Sequence, residues 1–138
     1  MQKKRSVWDI LPVILGATLS VGTATLFSAC GMKDDGTWMK CHSAQEAVVA
    51  AGAVITVLFL AAMLMKRHVM RVLLYILGAA GCIAVFLIPG TFMPMCVLRT
   101  MRCYTVMQPY VRIMAAATAV ISAVNVIREV KTCKGEQR

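Results

Sequence analysis

The stretch "ILPVILGATLSVGTATLFSA", residues 10–29, runs for 20 residues without a charged side chain. A helix needs about 20 mainly apolar residues to cross the hydrocarbon core of a bilayer, so this stretch has the length of a membrane span. An extended strand is excluded, because an open sheet leaves its backbone polar groups without partners in lipid. The stretch therefore predicts a transmembrane helix near the start of the chain.

Three more uncharged runs follow the first, at residues 47–65, 72–89 and 113–127. The last reaches spanning length if its helix begins at Tyr110 and Arg112 extends its guanidinium group to the interface. Of the 138 residues, 59% are hydrophobic and 15% are charged, whereas about a quarter of the residues in a soluble domain are charged. We predict an all-α integral membrane protein with four transmembrane helices.

The basic residues lie in short clusters between the apolar runs, and such clusters encode the orientation of a membrane protein. One side of the predicted bundle carries ten of them: Lys3, Lys4, Arg5, Lys66, Arg67, Arg71, Arg128, Lys131, Lys134 and Arg138. The other side carries five: Lys33, Lys40, Arg99, Arg102 and Arg112. The excess predicts a multi-pass protein of the bacterial cytoplasmic (inner) membrane with both termini cytoplasmic. The net charge of +9 does not indicate nucleic-acid binding, because no basic patch is interleaved with aromatic residues.

The segment "WMKCHSA", residues 38–44, returns as "TMRCYTV", residues 100–106. Methionine and cysteine are identical in the two copies, and a cation, a ring and a hydroxyl occupy the other matching positions. Both copies lie on the external side, so two similar hairpins would be related by a pseudo-twofold axis along the membrane normal. A gap of one residue also pairs Gln45 with Gln108. The single membrane domain, residues 1–138, then divides into hairpin one at 7–65 with external loop 30–43, hairpin two at 69–128 with external loop 90–108, and a cytoplasmic tail at 129–138.

The hydroxyl in each copy suits the start of a helix. Ser43 and Thr105 are residue types that cap helix N-termini, and Glu46 would complete a capping box with Ser43. Pro109 suits the first turn of the fourth helix. The repeated motifs therefore predict where the second and fourth helices begin.

Small residues four positions apart predict close contacts between membrane helices. Gly16 with Ser20 and Gly78 with Cys82 have this spacing. Asn125 is predicted either to form an interhelical hydrogen bond or to lie near the inner interface.

Four of the six cysteines fall in the predicted external segments: Cys30, Cys41, Cys96 and Cys103. Because the outside of most bacteria is oxidising, these four can form two disulfides. Pairing within each loop is the simplest of the three connectivities, and pairing across the repeat would join the two hairpins. The same four cysteines are the candidate redox residues.

Methionine is concentrated in the same external segments, since residues 30–46 and 90–109 hold six of the eleven methionines. Thioether, thiolate and imidazole groups are soft ligands that suit Cu(I). A copper or similar soft-metal site is therefore a hypothesis for the external cap. Its candidate ligands are Met39, Cys41, His42, Met101 and Cys103.

The residues "FSAC", 27–30, open another alternative. A basic start, an apolar stretch and small residues before Cys30 resemble a bacterial lipoprotein signal, whose cleavage would leave three helices and a lipid on Cys30. The apolar run exceeds the usual signal core of about 7–15 residues, and Asp9 is unusual in such a segment. We favour four helices and keep lipidation of Cys30 as the alternative.

Two external cysteine pairs on four helices with both termini inside resemble the layout of the quinone-linked membrane disulfide-forming enzymes and vitamin K epoxide reductases. That resemblance implies a thiol–disulfide redox protein, in which one cysteine pair passes electrons to a quinone and the other contacts a soluble partner. The sequence lacks the C-x-x-C motif that activates thiols for exchange.

The motif "WMKCHSAQ", residues 38–45, and a second cysteine motif before the last helix resemble a group of small bacterial four-helix membrane proteins. This group is an uncharacterised (domain of unknown function) family with a Met-Lys-Cys-His motif, and the resemblance covers nearly the whole chain. It implies an accessory membrane subunit, with an exporter-type ABC transporter as one partner, and it supplies no catalytic residue. Because the sequence contains no nucleotide loop, carboxylate pair or serine–histidine arrangement, we favour a non-enzymatic accessory or interaction subunit. No cofactor follows from the sequence.

Overall fold

The structure, a computed structural model, describes residues 7–27, 31–38, 40–92, 98–100 and 102–136 (of Lys40, Cys41 and Glu136 the backbone alone). These ranges contain four long helices and no β-strand. The helices are α1 (Val7–Ala24), α2 (Lys40–Leu64), α3 (His68–Leu87) and α4 (Gln108–Glu136), and a π-helical turn (Cys103–Met107) leads directly into α4.

All four helices are long and apolar enough to cross a membrane. Large apolar side chains point away from the bundle along their length, among them Val57 at 63% exposed and Ile113 at 67%. In a bilayer such side chains contact lipid, whereas outside a membrane they would be exposed to water. The prediction of an all-α multi-pass membrane protein is confirmed. The orientation of the bundle in the membrane and the pseudo-twofold axis stay predictions.

The helices form a ring in which each one packs mainly against two neighbours. Both α1 and α3 pack against α2 and α4. The basic end of the bundle holds the first turn of α1, the connection 65–67 between α2 and α3, and the last turns of α4. The loop end is the opposite end, where α1 and α3 finish and where α2 and the π-helical turn begin.

Small residues allow the helices to approach closely, as the spacing predicts. A Cβ atom on Gly16 would lie 2.8 Å from the Thr56 hydroxyl, and Ser20 lies against Gly52, so α1 and α2 touch along this face. Gly78 of α3 faces a buried aromatic ring of α2. The prediction of close contacts at Gly16, Ser20 and Gly78 is confirmed.

The second helix begins earlier than the capping pattern predicts. It starts at Lys40, so Ser43 lies inside its first turn, and the predicted cap at Ser43 is wrong. Glu46 instead approaches His42, four residues earlier, with Oε1 3.4 Å from Nε2. Residues four apart are neighbours on the surface of a helix, so this contact agrees with a helix that already includes Ser43.

The fourth helix also begins earlier, in the π-helical turn. Thr105 lies inside this turn, so its predicted role as the cap is wrong. The Gln108 N–H donates to the Cys103 carbonyl, five residues back. Pro109 has no N–H to continue the α-helical ladder, and a π-helical turn is one way for a helix to absorb such a break.

Candidate functional site

The predicted metal ligands are only partly within the described residues. The side chains of His42 and Cys103 are described, whereas Met39, Met101 and the Cys41 side chain lie outside the described residues. No group of three or more histidine, cysteine or acidic side chains with ligand spacing occurs within the described ranges. The Cu(I) site therefore stays a prediction.

His42 makes two contacts at the first turn of α2. Its ring stacks on Trp38 with the ring centroids 4.1 Å apart, and Nε2 lies 3.4 Å from the Glu46 carboxylate. A metal bound through Nε2 would have to displace Glu46 or share that carboxylate. The stacking on Trp38 fixes the plane of the imidazole ring.

The predicted disulfides also stay predictions. Cys30 and Cys96 lie outside the described residues, and Cys103 is fully buried in the π-helical turn. No two of the three cysteines with described side chains, Cys82, Cys103 and Cys133, are at disulfide distance. A soluble partner would reach the Cys103 thiol only if the loop end opened.

Arg112, predicted to extend to the interface, turns towards the end of α3. Its guanidinium group lies 5.5 Å from the centre of the Phe86 ring, and Nη2 donates to the Pro89 carbonyl at 3.4 Å. A cation is favourable beside the C-terminal end of a helix, where the carbonyl groups carry partial negative charge. Arg112 therefore joins α4 to the end of α3.

At the basic end, one guanidinium group contacts all the other helices. Arg71 belongs to α3, and its Nη2 lies 3.5 Å from Asp9 Oδ2 of α1. Its Nη1 lies 3.3 Å from Glu129 Oε1 of α4. Its Nε donates to the Ala62 carbonyl of α2 at 3.2 Å. Arg71 thus joins the four helices at a single point.

These charged side chains are buried. The side chains of Arg71, Asp9 and Glu129 are 11%, 12% and 5% exposed. His68, whose side chain is 37% exposed, brings Nδ1 to 3.2 Å from Glu129 Oε2 and so links the buried charges to the surface. Breaking a buried ion pair by removing one partner costs about 3–5 kcal/mol, because the remaining charge has no counter-ion. The residues Asp9, His68, Arg71 and Glu129 are called the charge cluster below.

Two uncharged polar side chains lie next to the charge cluster. Asn125 Nδ2 donates to the Trp8 carbonyl at 2.8 Å, which confirms an interhelical hydrogen bond for Asn125. Its Oδ1 is buried without a hydrogen-bond partner among the described residues. The same holds for the Tyr75 hydroxyl, which lies among the charges of the cluster without a hydrogen bond of good geometry. The basic end is therefore a polar layer through the bundle.

The family model described as a domain of unknown function (DUF4418) matches residues 12–128. The chain belongs to the DUF4418 family. The resemblance to an uncharacterised family is thereby confirmed, and the DUF4418 match includes Arg71 and both copies of the cysteine motif. Comparison with curated proteins and with solved structures gives no match.

The charge cluster of this DUF4418 chain was missed by the sequence reasoning, although a signal for it exists. In the sequence, Arg71 enters only as one of the ten basic residues that predict the orientation, and Asp9 only as an unusual residue in a signal segment. Arg71 and the two acidic residues that it contacts, Asp9 and Glu129, lie at the ends of apolar runs on the side predicted to hold both termini. An ionisable residue at the edge of a span calls for a named partner, and the predicted topology already brings Asp9, Arg71 and Glu129 to one end.

Proposed function

We propose that this chain is a non-enzymatic accessory subunit of a membrane complex, with an exporter-type ABC transporter as the partner. The observation that carries the proposal is the environment of Arg71. Its three nitrogens contact α1, α2 and α4, so the most buried charges of the described residues hold helices together. Groups engaged in this way suit a rigid scaffold better than a reaction centre.

Buried and half-buried hydroxyl groups in the helices support the same proposal. Thr23, Thr56, Thr118 and Ser122 each donate to the carbonyl four residues earlier in their own helix, at 2.7–2.8 Å. Such back-bonding satisfies a hydroxyl inside a membrane helix. These hydroxyl groups are therefore bonded within their own helices, as is expected of groups that contribute to helix packing.

The length of the last helix supports contact with a partner at the basic end. The helical segment Cys103–Gly135 has 33 residues, or about 50 Å at about 1.5 Å per residue, whereas the hydrocarbon core is about 30 Å thick. The predicted tail, 129–138, continues as helix to Glu136. Lys131, Thr132 and Lys134 are exposed on this extension, which offers a rigid basic surface to an acidic partner.

Site-specific photo-crosslinking in native membranes tests the proposal. A photoreactive phenylalanine analogue replaces Thr132 on the α4 extension or Trp38 at the loop end, and both positions are exposed. The same analogue at Val57, on an outward apolar face, reports lipid and random collisions. We expect a discrete adduct with one membrane protein from Thr132, Trp38 or both.

A transporter subunit in that adduct, recovered again when the tag is placed on the partner, would support the proposal. An adduct with an unrelated protein would contradict the ABC transporter as partner and leave the accessory role standing. If the chain were recovered without an adduct from either position, the accessory role itself would be contradicted. Thiol–disulfide chemistry coupled to quinone, and Cu(I) binding, remain alternative predictions for the external cap.

A further inference from the structure

An open apolar groove of about 270 Å³ lies between α3 and α4 at the basic end. Val72 and Ile76 of α3 and Val130 of α4 line the groove. His68 and Cys133 lie at its mouth, at the basic end of the bundle. His68 is the first residue of α3, so the groove starts where the helix leaves the connection to α2. From His68 to Ile76 the helix rises about 12 Å, at about 1.5 Å per residue.

This length matches one half of a bilayer. The hydrocarbon core is about 30 Å thick, so one leaflet contributes about 15 Å. A groove of this length, which opens at the end of the helices, can hold the part of an acyl chain nearest the lipid headgroup. Its lining of valine, leucine and isoleucine side chains has the matching chemistry.

The mouth of the groove is basic. Lys66 and Arg67 immediately precede His68, and Lys131 and Lys134 flank Cys133; all four are exposed. Glu129, the nearest acidic residue on α4 with a described side chain, is buried against Arg71 and His68. Among the described side chains, the exposed charge around the mouth is therefore positive, which complements a phosphate group.

We propose that this groove binds one anionic phospholipid, with an acyl chain along Val72 and Ile76 and the phosphate between the α2–α3 connection and the end of α4. The proposal does not depend on the accessory role. The groove combines an apolar floor with a basic mouth, and these two features match the acyl chain and the headgroup of an anionic phospholipid.

Native mass spectrometry of the full chain tests the proposal. The protein is released from nanodiscs that contain phosphatidylglycerol and phosphatidylcholine in equal amounts, and the lipids that remain bound are counted. We expect one phosphatidylglycerol per chain in preference to phosphatidylcholine. In the variant Lys66→Ala/Arg67→Ala/Lys134→Ala the affinity should fall on the order of a hundredfold, since each basic residue near an anionic membrane contributes roughly a fivefold factor. The matched control, Lys33→Ala/Arg99→Ala, removes exposed cations from the loop end and should retain the lipid.

A second pair of variants tests the groove itself. Ile76→Trp fills the groove, whereas Ile83→Trp places the same side chain on an outward part of α3 beyond it; the two residues are 51% and 57% exposed. We expect loss of the bound phosphatidylglycerol in Ile76→Trp alone. Equal retention of both lipids by the unmodified chain would overturn the proposal. If the basic variant lost phosphatidylglycerol and Ile76→Trp retained it, binding would depend on surface charge and not on the groove. That result would also overturn the proposal.

Discussion

Gly78 illustrates how single residues set the distance between helices in this bundle. A Cβ atom there would overlap the ring of Phe59, which is fully buried and has no free space to enter. We predict that Gly78→Ala lowers the free energy of unfolding by about 1–3 kcal/mol, the usual cost of overpacking a core. Reversible unfolding in mixed micelles measures this change.

The matched control for this prediction is Gly135→Ala. Gly135 also lies in a helix, but a Cβ atom there would meet nothing within 4 Å. Because alanine favours helix over glycine by about 1 kcal/mol, this variant should be neutral or slightly stabilised. Equal effects of the two substitutions would contradict the close packing of α2 against α3.

At the scale of residues, the sequence predicted contacts that follow from size and missed those that follow from charge. Two small residues that are four positions apart lie on one face of a helix. Gly16 and Ser20 could therefore be predicted to form a helix contact without knowing which helix they contact. An ion pair between helices depends on how each helix is rotated about its axis. Asp9 and Arg71 are far apart in the chain, and their rotation is decided by the packing of the whole bundle.

At the scale of elements, the buried positions of α2 recur along the last helix with a constant separation. Ala44 matches Met107, Ile55 matches Thr118 and Ala62 matches Asn125, each 63 positions later. The repeated cysteine motifs are 62 positions apart, as Cys41 and Cys103 show. The difference of one residue falls in the π-helical turn, which supports the predicted repeat and accounts for its one-residue gap.

The extra residue in this turn leads to a prediction. Deleting Thr105, an exposed residue of the π-helical turn, should convert the turn to regular α-helix and leave the rest of α4 in register. We expect the deletion to keep the bundle folded, with a melting temperature close to that of the unmodified chain. Circular dichroism during heating in detergent measures it.

Deletion of Ala116, an exposed residue in the regular part of α4, is the matched control. Each residue turns an α-helix by about 100°, so this deletion rotates one part of the buried face away from the core. It should lower the melting temperature strongly or prevent folding. If both deletions were equally harmful, the π-helical turn would not be the place where the helix absorbs an extra residue.

At the scale of the whole molecule, the number of spans could be predicted because a bilayer imposes a length on each helix. The starts of the second and fourth helices could not be predicted from the capping residues, because a capping preference is local and both helices begin before Ser43 and Thr105. The candidate site predicted from the sequence consists of the external cysteines and their neighbours, since sulfur ligands can be recognised in a sequence without a structure. The predicted topology brings Asp9, Arg71 and Glu129 to one end of the bundle, but which of them form ion pairs depends on how the four helix ends pack together.

The orientation of the bundle gives a third prediction. If the basic end is cytoplasmic, a membrane-impermeant maleimide should label Asp35→Cys in intact cells and should label Lys134→Cys only after permeabilisation. Both positions are exposed, so access depends on the side of the membrane. Peptide mapping by mass spectrometry separates these sites from the native cysteines. Labelling of Lys134→Cys alone in intact cells would reverse the orientation.

Arg71 joins four helices into one scaffold, and the free energies of unfolding of three variants measure how much this junction contributes to stability. Arg71→Met removes the counter-ion of the buried Asp9 and leaves Glu129 with His68 in place of Arg71, and it should cost about 3–5 kcal/mol. The triple variant Asp9→Asn/Arg71→Met/Glu129→Gln removes all three charges and should regain most of that loss, while Arg99→Met, an exposed cation at the loop end, should change little. If Arg71→Met were as stable as the unmodified chain, Arg71 would not hold the helices together. If the triple variant were no more stable than Arg71→Met, unpaired buried charge would not be the cause of the loss.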